Sequence, residues 1–177
     1  MTNEKLKIVM KAFIISQFNY CPLIWMFHNR TINKKINKLH ERALRLVYKN
    51  DFLTFQELLV LDGSMTVHER NLQKLATEMY KVKHHLSPLP IQNLFREQNT
   101  SYDLRSGGCW EVPRVRTVNN GTETIRFRGI KTWEMVPKGI KQATTLKEFK
   151  NKIKKWKPTN CSCRICKTYV AGIGIIQ

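Results

Sequence analysis

Residues 31–48 read TINKKINKLHERALRLVY. Apolar side chains fall at Ile32, Ile36, Leu39, Ala43 and Leu46, with Val47 beside the last. That spacing traces one stripe along a helix. Thr31 stands where an N-cap belongs. The opposite side carries Lys34, Lys35, Lys38, Arg42 and Arg45. From Arg30 to Lys49 there are seven Lys/Arg and one acid. One face of this helix suits a core and the other suits a polyanion.

Upstream, residues 4–18 read as a helix with Leu6, Val9, Met10, Phe13 and Ile14 on one stripe, widened by Ile8, Ala12 and Ile15. A helix apolar over most of its girth is normally covered by other structure. Pro22 breaks the chain before Trp25 and Phe27, which read as core or an elbow. Downstream, Thr54 with Glu57 and Thr66 with Glu69 have the form of capping boxes. They predict a short helix closing near Gly63 and a longer one to about His85. The longer helix turns Val67, Leu72, Leu75, Ala76, Met79 and Val82 inward. Pro88 and Pro90 stop it and start another short helix, through Phe95.

Residues 98–109 are polar and read as a linker. Beyond it, Asn119-Asn120-Gly121 separates two strand-like runs, which predicts a β-hairpin. Its apolar face would hold Val115, Ile125 and Phe127. The other face would present Arg114, Arg116, Arg126 and Arg128, either to phosphate, which suits the guanidinium fork, or simply to solvent. A short helix carrying Trp133 ends at Pro137. Thr145 with Glu148 predicts a third cap. The helix it opens has Leu146, Phe149, Ile153 and Trp156 on one stripe and Lys147, Lys150, Lys152, Lys154 and Lys155 around the rest.

The expected fold is therefore mainly α. A helical bundle covers 1–97, and a small β-hairpin plus basic-helix module covers 110–166, with a tail at 167–177. Across 177 residues the net charge is +18. That excess repels itself unless something neutralises it, and phosphate backbones do so by counterion release. An anionic membrane surface and a solvated basic face are the alternatives. No stretch is long and unbroken enough for a membrane span. Five cysteines, an odd number with no secretory signal ahead of them, point to a reducing, intracellular compartment.

Cys161, Cys163 and Cys166 fall within six residues. Zinc takes four tetrahedral sulfur or nitrogen ligands. The fourth is not legible: no histidine follows His85, and Cys109 is distant. Zinc binding and plain reduced thiols both remain open. The acids are scattered, with no paired aspartates, phosphate loop, HExxH or GxSxG. Two-metal polymerases and nucleases need convergent carboxylates. The chain alone is expected not to be an enzyme.

FIISQFNYCPLIWMFHNRTINKKINKLHERALRLVY resembles the segment downstream of the palm in reverse transcriptases of LINE-type (non-LTR), jockey-like retrotransposons. NLQKLATEMYKVKHHLSP, YDLR, VRTVNNGTETIRFRGIKTWEMVP and LKEFKNKIKKWKPTNCSCRIC resemble later pieces of that family, in the same order. The resemblance implies a thumb followed by a C-terminal extension, without the catalytic aspartates of the palm. Residues 31–48 would then lie along a template–primer duplex. The cysteine-rich end would help grip RNA or target DNA. A Met1 opening inside the polymerase region would fit a truncated copy. The partner expected is RNA or an RNA–DNA duplex, with no membrane. Two further readings stand beside it: an inert retroelement remnant, and a protein–protein module using the apolar N-terminal helix.

Overall fold

The computed structural model describes residues 2–97, 110–117, 121–159 and 161–166, and beyond them only the backbone of two short paired strands, Thr168–Val170 and Gly174–Ile176. The protein is mainly helical. Its chain forms two compact units, Met1–Asn71 and Leu72–Gln177. The division falls inside helix α6 (Val67–Lys83), which is continuous through it. The expected linker at 98–109 lies outside the described residues.

In the first unit, α1 (Asn3–Met10) runs through a π-helical stretch (Lys11–Ile15) into α2 (Ser16–Asn19). Then come α3 (Pro22–Trp25), α4 (Arg30–Tyr48) and α5 (Phe55–Asp62). The core joins Met10 and Ile15 to Ala43, Leu44 and Val47 of α4 and to Leu58 and Leu59 of α5. The wider π turn changes the helical phase after Met10. Ile15 therefore goes inward, while Phe13, expected on the inner stripe, stays 73% exposed.

Helix α4 forms where the sequence places it, with two corrections. Its N-cap is Asn29, whose side chain accepts from Ile32 N at 2.9 Å. Thr31 is already inside the first turn. The buried stripe is Asn33, His40, Ala43, Leu44 and Val47, so Ile32, Leu39 and Leu46 face outward. The apolar doublets Ala43-Leu44 and Leu46-Val47 allow two phases, and packing of Ala43, Leu44 and Val47 against Met10, Ile15, Leu58 and Leu59 selects one of them, burying Asn33 and His40 with it. Asn33 Oδ1 lies 3.4 Å from His28 Nε2, and His40 packs edge-on against Phe55.

The capping boxes of α5 and α6 are present. Glu57 N bonds Thr54 Oγ1 while Thr54 N bonds Glu57 Oε2 at 2.7 Å. Thr66 N and Glu69 Oε2 pair likewise at 2.8 Å. Gly63, with φ of 65°, closes α5 in the left-handed region.

In the second unit the rest of α6 is followed by α7 (Leu89–Gln92), α8 (Ile125–Met135), α9 (Lys138–Lys141) and α10 (Leu146–Ile153). Its core gathers Met79, Tyr80, Trp110, Ile130, Trp133, Phe149 and Ile153. Phe149 stacks on Tyr80 at 4.3 Å and on Trp133 at 6.0 Å. Tyr80 Oη donates to Ala143 O at 2.9 Å, so its buried hydroxyl is satisfied.

Among the described residues the expected hairpin over 110–128 is not seen; Asn119 and Asn120 lie outside them. Residues 111–117 have no regular structure, and Gly121–Glu123 is a single tight 3₁₀ turn. Thr124 then caps α8, its hydroxyl accepting from Phe127 N at 3.3 Å. Alternation over Ile125–Arg128 spans barely one helical turn, too short to separate a strand from a helix. Packing selects the helix, because it aligns Ile130 and Trp133 in the core. It also sets Gly129 where an added Cβ would stand 2.6 Å from Met79 Sδ.

Candidate nucleic-acid interface and metal cluster

On α4, Lys34, Lys35, Lys38 and Arg42 are exposed. None of the four is in an ion pair among the described residues. Arg45 differs. It is half-buried, pairs with Glu41 at 2.8 Å across one helical turn, and also donates to Asp51 O. It braces the end of α4. Arg42, Arg45, Leu46, Lys49 and Asp51 line a shallow cleft of about 520 Å³ there.

In the second unit, Lys150, Lys154 and Lys155 are exposed around α10. Arg126 is half-buried on α8. Arg128 is buried, and its Nε donates to Glu123 Oε2 at 3.2 Å while Nη2 bonds Oε1. Both side chains are 9% exposed. A guanidinium committed in this way is not offered to a phosphate, so Arg128 is a structural residue. Four arginines on one face, the arrangement the hairpin implied, do not occur: Arg114 and Arg116 lie in the irregular segment and Arg126 and Arg128 on a helix.

The acids are largely engaged within the fold. Glu41, Asp62, Glu78, Glu123, Glu134 and Glu148 sit in ion pairs, and Glu57 and Glu69 are cap residues. The Glu148 carboxyl is held down to about 2 by its bond to Lys152 and by Thr144 N–H. Among the described residues, unpaired lysines and arginines on α4 and around α10 are part of the positive charge left over.

A buried polar group lies within the first unit. Asp62 pairs with Lys7 at 2.6 Å and accepts from Tyr48 Oη at 2.8 Å. Burial pushes its carboxyl upward, but the bonds from Lys7, Tyr48 and Ser64 bring it below the usual range. His40 is 1% exposed. Burial first, and the nearby Arg70 charge second, lower its imidazole to about 4. It is a neutral core histidine.

The three C-terminal cysteines come together with a residue the sequence reading did not select. His68, on the first turn of α6, joins Cys161, Cys163 and Cys166, and one ligand atom of each lies within 4.8 Å of all the others. The cluster can hold a metal ion. His68 and Cys163 are buried. Cys166 N bonds Cys163 O at 3.0 Å, closing the turn that presents both sulfurs. The neighbouring Cys161 and Cys163 sulfurs, then burial, push the Cys166 thiol far above the ordinary range. Several thiolates this close repel one another unless a cation lies among them.

Tetrahedral zinc with Zn–S bonds near 2.3 Å needs ligand atoms about 3.7 Å apart. The donor set, three sulfurs and one imidazole, is of the kind zinc takes, and all four atoms lie within 4.8 Å of one another. Glu123 also steadies the cysteine turn: its Oε1 accepts from Arg164 N at 3.3 Å. Thus Arg128 holds Glu123, and Glu123 holds the turn between Cys163 and Cys166. No local signal marks His68, because ligands brought together by folding carry no fixed separation in sequence.

Among the described residues no helix is long and apolar enough to cross a membrane. No family model, curated protein or solved structure matches the chain.

Proposed function

We propose that the protein binds nucleic acid through the sugar–phosphate backbone, independently of base sequence. The observation that carries this reading is the exposed row Lys34, Lys35, Lys38 and Arg42, unpaired with acid among the described residues. These side chains lie on the 19-residue helix α4, whose other side is anchored in a core. A helix already anchored sets these flexible side chains at fixed spacing, and each phosphate contact releases condensed counterions. Lys150, Lys154 and Lys155 supply a second basic surface. A-form duplexes, RNA or RNA–DNA, suit contacts of this kind because their shape and phosphates are read in place of the deep major groove. The resemblance to the post-palm region of retrotransposon reverse transcriptases supports the same ligand. Polymerisation by this chain alone is not part of the proposal.

The cluster of His68 and three cysteines takes zinc in this reading. The ion neutralises the thiolates and fixes the C-terminal turn, and the lysines before it are thereby held in place. Its role is structural in this reading, since His68, Cys161, Cys163 and Cys166 offer the four protein donors that fill a tetrahedral shell.

The test is the variant Lys34→Ala/Lys35→Ala/Lys38→Ala, assayed by anisotropy with a labelled duplex. Weaker binding and a shallower dependence on salt are expected. Unchanged affinity and slope would remove α4 from the interface.

One observation favours a second reading. Ile8, Phe13, Tyr20 and Ile24 are all at least 67% exposed in the first unit. An apolar surface of this kind suits a protein partner. Such a complex would form with little dependence on salt.

A further inference from the structure

Trp156 stands three residues beyond the end of α10, among Lys154, Lys155 and Lys157. It is half-buried, and one side packs against the second unit's aromatic core. Its backbone is held twice. Trp156 N bonds Ile153 O at 3.1 Å. The Gln73 amide donates to Trp156 O at 2.7 Å and to Lys154 O at 3.3 Å. The indole also lines a cleft of about 330 Å³ with Lys131, Glu134, Met135, Thr159 and Ser162.

That volume lies at the small end of ligand clefts, which run from about 300 to 1,000 Å³. It holds one planar ring system and not a folded peptide. The lining matches a nucleobase: an indole for stacking, a thioether, and hydroxyls at Thr159 and Ser162 for a base edge. Lys131 and Glu134 pair at 2.9 Å on the rim. The exposed lysines on either side of Trp156 match the phosphates flanking a single base. Ser162 belongs to the cysteine turn, so the cleft shares a wall with the metal cluster.

We infer that this cleft takes one unpaired nucleotide of a single-stranded RNA or DNA, stacked on Trp156. The inference rests on the nucleic-acid reading and deepens it. The α4 face needs only a backbone, whereas this cleft needs a base free of its partner. Stacking on one aromatic residue is strong enough to show in affinity and tolerates any base.

The experiment compares the full-length chain with Trp156→Leu and Trp156→Phe. Labelled single strands of RNA and DNA and a blunt duplex are each titrated by anisotropy. Trp156→Leu is expected to weaken single-strand binding roughly ten- to a hundred-fold, and Trp156→Phe to restore most of it. Duplex binding should stay the same in all three proteins. Weakening with both RNA and DNA marks the base and phosphates as the ligand; weakening with RNA alone adds the 2′-hydroxyl. Single-strand affinity that is equal in all three proteins overturns the cleft and leaves the α4 reading intact. An unaltered chain that binds neither single strand nor duplex overturns both.

Discussion

Replacing His40 tests how the first unit is stabilised. The imidazole is 1% exposed on α4 and faces the charge of Arg70. Its proton affinity in the folded state falls from the usual 6.5 to about 4. The unfolded chain therefore takes up a proton below about pH 6.5 that the folded chain refuses until about pH 4. Stability is complete above the unfolded value and is lost as pH falls through that window. At about 1.36 kcal/mol for each tenfold difference in proton affinity, the loss between pH 7.5 and pH 4 is about 3 kcal/mol. Carboxylates add their own loss lower down, because Asp62 also titrates below its ordinary range. The variant His40→Gln keeps a polar side chain of similar reach but has no proton to gain. Hydrogen exchange of α4 peptides, read by mass spectrometry across this pH range, gives the opening free energy. The unaltered protein should lose about 3 kcal/mol more than the variant. Parallel pH profiles would refute the buried neutral imidazole.

Three other outcomes follow from the packing and the metal cluster. Zinc should bind at one ion per chain, and cobalt substituted for it should give the thiolate charge-transfer bands of a tetrahedral site; His68→Ala should weaken the metal by more than the roughly 10–100-fold of an outer-shell change, and an unaffected affinity would exclude His68 as a ligand. Phe149→Ala empties the place between Tyr80 and Trp133 and should cost about 3–5 kcal/mol in urea unfolding of the second unit. Arg128→Met leaves the Glu123 carboxylate buried without its cation and should cost about 3–5 kcal/mol of stability; a loss of nucleic-acid affinity at unchanged stability would instead restore Arg128 to the interface.

Much of the helical framework was legible because caps and periodicity agreed. In α6, Thr66 and Glu69 mark the start, and all six residues expected inward are buried. In α10, Phe149 and Ile153 go to the core as the stripe requires. Where two phases were equally apolar, as on α4, sequence could not choose. Packing of Ala43, Leu44 and Val47 against α5 and the N-terminal helix turned Ile32, Leu39 and Leu46 outward and carried Asn33 and His40 inside. The segment Ile125–Arg128 was misread because four alternating residues fit either period, and the deciding contacts came from Met79 and Phe95, far away in the chain. Among the candidate site residues, Lys34, Lys35, Lys38, Arg42, Lys150, Lys154 and Lys155 lie on the surface as expected. Arg45 and Arg128 were lost to Glu41 and Glu123, partners four and five residues away in the chain whose geometry depends on the helix end and the cap. The cysteines were legible as a cluster, but His68 was not, since only tertiary folding sets it beside them.

The dependence of duplex affinity on salt bears most directly on the central claim. With four to seven phosphate contacts from the exposed cations of α4 and α10, the logarithm of the association constant should fall against the logarithm of salt with a slope of about −3.5 to −6. Binding absent in dilute buffer, or a slope close to zero, would contradict it.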